Sequence, residues 1–107
     1  MILRSYKIKF ESVQNDEISE LELESGLASK LGGTPNWIQG DETPTCPHCK
    51  EKMTFIGQLD SVEHEAEENP HSIDPLSGKQ HFMFGDAGIL FTFLCFECSE
   101  PKTILQF

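Results

Sequence analysis

Two short cysteine hooks constrain this chain more than any other feature: Cys46-Pro47-His48-Cys49 and Cys95-Phe96-Glu97-Cys98. They hold all four cysteines of the 107 residues. A tetrahedral site of four thiolates needs such a pattern, two hooks of two sulfurs each, brought together by the intervening fold. The spacing therefore predicts that Cys46, Cys49, Cys95 and Cys98 bind Zn2+. Disulfides fit less well, since nothing marks the chain as secreted. A thioredoxin-like redox pair needs a βαβ setting, and no convincing helix follows either hook.

The length predicts one domain over residues 1–107, small enough for a metal to supplement a modest core. Eight phenylalanines and a hydrophobic fraction of 37% suffice for that core. The net charge is −10. Phosphate backbones repel such a chain, so nucleic-acid binding, the common use of a zinc ribbon, loses weight and remains an alternative. An acidic surface favours a basic protein partner, or serves solubility alone. The first residues have no signal-peptide pattern and no stretch has transmembrane length. Four paired thiols fit a reducing cytoplasm.

The pattern along the chain predicts a mainly β fold with little helix, a small antiparallel sheet carrying a zinc-ribbon-like four-cysteine site. Ile2, Tyr6, Ile8 and Phe10 share one parity, which predicts a strand over 1–10. Residues 11–24 carry six acids and no base. Within them Leu21 and Leu23 alternate with Glu20, Glu22 and Glu24, the pattern of a short strand or an acidic connector. Residues 25–31 suit one helical turn. Gly32-Gly33 permits positive φ. Trp37 reads as a core anchor, or as an aromatic in a binding groove. Lys50 follows the first hook where the backbone must turn sharply, a left-handed geometry costing about 1–2 kcal/mol without glycine. Met53–Leu59 reads as a strand, with Gln58 a buried amide tied to backbone.

Residues 61–80 read as a flexible acidic loop. Its histidines, His64 and His71 with His81 just beyond, are solvated in the plainer reading and a weak second metal site in the other. Phe82-Met83-Phe84 resumes the fold and Gly85-Asp86-Ala87-Gly88 makes a turn. Ile89–Leu94, apolar at both parities, reads as a central strand covered on both faces and running into the second hook. A last strand follows Pro101, and its exposed edge leaves monomer and dimer both open, with the monomer preferred.

The order Lys30-Leu31-Gly32-Gly33-Thr34-Pro35-Asn36-Trp37, the first hook, Phe55-Ile56-Gly57-Gln58-Leu59 and Phe93-Leu94-Cys95 resembles the bacterial YwqG-like family of unknown function. It is also similar to the N-terminal domain of the programmed cell death protein 2 type. The resemblance spans roughly residues 28–98. It implies a mainly β domain. It further implies either a chaperone-like role toward a basic ribosomal protein or an immunity-like role, and no catalytic residue. The function expected is thus a non-enzymatic, zinc-stabilised protein-binding module. A small metalloenzyme is the remaining alternative; it would need an open metal position, for instance with His48 or His81 in place of a cysteine ligand.

Overall fold

The computed structural model describes residues 2–13, 18–72, 84 and 87–107. Its frame is one antiparallel sheet in the order β1-β2-β3-β4, with β1 at Lys30–Leu31, β2 at Thr54–Asp60, β3 at Ile89–Cys95 and β4 at Glu100–Gln106. A short helix, α1 (Glu20–Glu24), precedes it, and a 3-10 turn at Glu63–Glu65 follows β2. The fold is mainly β, as the sequence predicts.

The apolar run Ile89–Leu94 forms the central strand. Its β-branched and aromatic side chains suit a pleated surface flanked on both edges. The register opposes Phe55 to Phe93 and Gln58 to Phe91 on β2, and Ile104 to Phe91 on β4. Directly opposed residues share a sheet face, so Ile89, Phe91, Phe93 and Cys95 define the inner face. All four are buried.

The segment after the Gly32-Gly33 turn covers this face. Trp37 lies 4.6 Å from the Phe91 ring and 5.8 Å from that of Phe93, nearly parallel to the latter. Phe55 meets Phe93 edge-on at 5.5 Å. Trp37 is thus the half-buried lid of the core, in line with the anchor reading. Gly32 and Gly33 both take positive φ, 79° and 76°.

The covering segment has few backbone partners in the sheet, and two buried glutamines hold it. Gln58 Oε1 accepts from the Asn36 N–H, while its Nε2 donates to the Ala28 carbonyl and to Asn36 Oδ1. Gln106, fully buried, does the same further along. Its Oε1 accepts from the Ile38 and Gln39 N–H groups, and its Nε2 donates to the Gly40 carbonyl and Glu42. The expected role of Gln58 is met; that of Gln106 is a second instance that the alternation does not reveal.

Several expectations need correction. Residues 2–13 form no strand, and their apolar side chains are exposed, Ile2 by 87% and Phe10 by 79%. Alternation supplies one apolar side, but a strand also needs a neighbour's hydrogen bonds, and no described strand lies alongside. Glu20–Glu24 is helix, not strand. Ser19 Oγ accepts from the Glu22 N–H and donates to its carboxylate, an N-terminal cap that alternation conceals. The helix turns Leu23 onto the core and leaves Leu21 exposed. No helical turn forms over 25–31, where Lys30–Leu31 pairs with Gln58 and Gly57 instead.

The last strand starts at Glu100, before Pro101, which β4 tolerates as an edge strand. β3 is fully covered on one face only: Leu90, Thr92 and Leu94 are half-buried. Residues 61–72 of the expected flexible loop make successive turns, with Asn69 Nδ2 donating to the Glu63 carbonyl. Residues 73–80, His81, Phe82, Met83, Gly85 and Asp86 lie outside the described residues.

Gly57 marks the tightest approach in the sheet. A Cβ there would stand 2.8 Å from the Lys30 carbonyl oxygen and 3.3 Å from Leu31 Cα, beside the bulge between Phe55 and Gly57. Because the nearest obstacle is backbone, Gly57→Ala must displace β1. We expect it to lower stability by about 1–3 kcal/mol, measured by denaturant unfolding of the metal-loaded protein. An unchanged midpoint would show that β1 shifts freely.

Candidate metal centre

Each cysteine hook is the turn of a small hairpin. In the first, Thr45 bridges Lys52, the Cys46 N–H donates to the Glu51 carbonyl, and the Lys50 N–H donates to the Cys46 carbonyl. In the second, Cys95 pairs with Glu100, so residues 96–99 are the loop joining β3 to β4. The residue after each second cysteine is left-handed: Lys50 at φ 67° and Ser99 at φ 55°. The expectation for Lys50 holds, and Ser99 repeats it. Neither is glycine, so both turns carry strain that a closed ligand set would offset.

The sheet brings the hooks together. β2 leaves the first hook through buried Met53, and β3 ends in the second at Cys95. The four sulfurs lie within 4.8 Å of one another, with Cys49 and Cys95 at 3.6 Å. Four sulfurs about 2.3 Å from a central ion stand roughly 3.8 Å apart. The spacing thus fits a tetrahedral metal and is far too long for a disulfide bond. All four are free thiols. Among the described residues this is the group of side chains arranged to hold a metal ion.

The backbone prepares the first hook for negative charge. The N–H groups of Cys49 and His48 bring the Cys46 thiol down to about 7, against its burial. The Glu51 N–H acts the same way on Cys49, but desolvation and the crowding of Cys95 and Cys46 leave that thiol above its ordinary value. Cys98 is pushed up to about 12, first by desolvation and then by the three neighbouring sulfurs. Four thiolates so close repel one another until a cation sits between them.

His48 stands outside the cluster. Its side chain is 62% exposed, and Nε2 lies 3.2 Å from Glu100 Oε2, joining the tip of the first hook to the base of the second. His64 is largely covered, with Nε2 3.8 Å from the Glu65 carboxylate, so it is no solvated loop residue. His71 is exposed and His81 lies outside the described residues.

Comparison with known proteins finds similarity to a segment of the uncharacterized protein YpfL of Salmonella typhimurium (strain LT2). It is 33% identical over 78 residues, 73% of this chain. The chain spans only 15% of that protein's length. No family model matches, and no solved structure matches. No helix among the described residues is long and apolar enough to cross a membrane.

The thiol environments set the pH dependence of metal binding. Metals bind thiolates, so a thiol that still carries its proton must lose it. At pH 8 Cys46 is mostly thiolate, while Cys49 and Cys98 are held above their ordinary values and protonated. Binding therefore releases at least about two protons, and affinity falls at least roughly 100-fold per pH unit on acidification. Chelator-competition titrations at pH 6, 7 and 8 measure this. A pH-independent affinity would exclude these cysteines as ligands.

Proposed function

We propose that this chain is a zinc-stabilised, non-enzymatic protein-binding module of the cytoplasm that engages a basic protein partner. The observation that carries the reading is the closure of four sulfurs from two distant hooks within 4.8 Å. An all-sulfur tetrahedral set is typical of structural zinc. Cys46, Cys49, Cys95 and Cys98 fill all four positions, which leaves none for water or substrate. The exposed place of His48 argues against its replacing a cysteine to open one. Paired free thiols suit a reducing compartment.

The partner half of the reading rests on charge. Ser29 N–H donates to the Glu63 carboxylate, and Gly26 packs so close to Val62 that a Cβ there would overlap Cγ2. These contacts set α1, with exposed Glu20, Glu22 and Glu24, beside the turn carrying Glu65, Glu67 and Glu68. Glu63 registers the crowding: burial raises its carboxyl first, and Asp60 and Glu22 add to it. Two acidic runs separated in sequence thereby form one negative end of the molecule. That end lies at the far tip of the strands from the cysteines, roughly 20 Å away at about 3.3 Å per residue. The likeness of the motif order to YwqG-like and programmed cell death protein 2 domains supports a protein-binding role of chaperone or immunity type.

Two measurements test the halves separately. Purified protein should hold one zinc per chain, and chelation should abolish the cooperative unfolding transition. Cobalt exchange should give the intense near-ultraviolet thiolate bands of a four-sulfur site. Absence of metal with the fold intact would sink the structural-zinc half. For the partner half, immobilised protein should retain a basic protein from the source cell, released as salt rises past the range where surface charges are screened. The triple change Glu20→Gln, Glu22→Gln, Glu24→Gln should weaken retention at least several-fold. Retention indifferent to both salt and these changes would refute the acidic end as the docking surface.

A further inference from the structure

The outer face of the sheet carries a second surface, independent of the acidic end. The register places Leu59, Leu90 and Leu105 side by side across three strands. Gly57, Thr92 and Thr103 form the next rung, and Thr54, Leu94 and Pro101 the one nearest the cysteines. Leu31, opposed to Gly57, extends the face over β1. The rungs contain no charged side chain, although a quarter of the chain's residues are charged. Leu31 is 66% exposed, Leu59 48% and Leu105 38%. No described helix or strand packs across these rungs; the strands pack chiefly on their sheet neighbours, and the aromatic core lies on the opposite face.

We propose that this face joins two copies of the chain, sheet against sheet, with strands running in opposite directions. Two observations select a second copy. The first is charge. A basic partner finds nothing to pair with here, whereas an uncharged face meets its own copy without desolvating an ion. Opposed strand directions also set the acidic end of one copy, with Glu22 and Glu65, beside the cysteine end of the other. That end is mixed in sign, with Lys50, Lys52 and Lys102 exposed, Glu51 and Glu97 exposed beside them and Glu100 half-buried. Parallel stacking would instead superpose the two acidic ends.

The second is area. Three seven-residue strands and the short β1, at about 4.8 Å between strands, present on the order of 400 Å² in projection. With side-chain relief, two copies bury roughly 1,000–1,200 Å², the lower edge of specific interfaces. Aligned packing of twisted sheets about 10 Å apart supplies the geometry. A face of this size gives a dimer that forms at micromolar concentrations and dissociates on dilution.

Sedimentation velocity of the zinc-loaded full chain from about 1 µM to 1 mM tests this. We expect half-dimerisation on the order of 10–100 µM. Leu59→Lys and, separately, Leu105→Lys should raise that concentration at least tenfold. Both positions are already exposed, and metal content with far-ultraviolet dichroism checks that the fold persists. Ile38→Lys, at an exposed apolar position on the segment that covers the opposite face, should leave dimerisation within about twofold. A protein that stays monomeric to 1 mM overturns the proposal, and so does a dimer indifferent to both lysine substitutions.

Discussion

Closure of the two hooks is the constraint on which the rest of the structure depends. Cys46 and Cys95 belong to the buried core as much as to the sulfur cluster, in one apolar group with Met53, Ile89, Phe91 and Phe93. The sulfurs therefore cannot separate without opening the sheet's inner layer. Structural zinc contributes about 10–16 kcal/mol in small cysteine-rich domains. That matches or exceeds the roughly 5–15 kcal/mol by which whole domains are stable. In a sheet with only one face fully covered, a bound metal contributing a term of this size would decide whether the chain is folded. It would also offset the strain of the left-handed Lys50 and Ser99, each directly after the second cysteine of its hook.

The glutamines come next in importance, because they bind a layer that has no ladder of its own. The segment from Thr34 to Glu42 lies across the aromatic face as irregular chain. Its N–H groups at Asn36, Ile38 and Gln39 would be expensive to leave unpaired where the sheet covers them, about 1–3 kcal/mol each. Gln58 and Gln106 answer all three from inside the sheet. A primary amide offers two acceptor sites and two donors, so one side chain can satisfy both sides of a crossing strand of backbone. Trp37 is held on Phe91 and Phe93 by this arrangement, since Asn36 and Ile38 flank it.

How much of this is legible in the sequence follows from which interactions are local. The cysteine spacing carries its own geometry, and the central strand carries its own composition, so the four-cysteine cluster and β2, β3 and most of β4 can be read directly. Leu21 and Leu23 mislead because a five-residue helix and a short strand share the same i, i+2 pattern. The deciding signal is Ser19 three residues before Glu22, a local cap that outranks the alternation. The N-terminal alternation misleads for the opposite reason: strand formation there needs a distant edge that no local pattern encodes. Gln106 is hidden because its neighbours Ile104, Leu105 and Phe107 mark a strand whatever the buried polar residue does. The union of α1 with the Glu63 turn depends on Ser29 meeting Glu63 across 34 residues, a contact visible only in the fold.

The cysteine cluster lies at one end of the strands, among Glu51, Glu97, Glu100 and three lysines. The carboxylates of α1 and the Glu63 turn lie at the other end, and an uncharged leucine-rich face runs between them. Surface charges are screened beyond about 8 Å at physiological salt, and the strands separate the two ends by more than twice that. With zinc bound, the formal −2 of the tetrathiolate would therefore add little to the field at the acidic end. Metal would influence a partner there only by holding the fold, through β2 and β3, which run from the hooks to Asp60 and Ile89. Buried Asp60 sits at that junction, with one carboxylate oxygen accepting from the Ala28 N–H and the other from the Val62 N–H. Burial raises its carboxyl above the ordinary value despite both bonds. An acid held in an unfavourable site this way serves position, not charge: it pins the chain leaving α1 and the Glu63 turn to the end of β2. The acidic end is thereby tied to the end of β2 opposite the hook from which that strand starts.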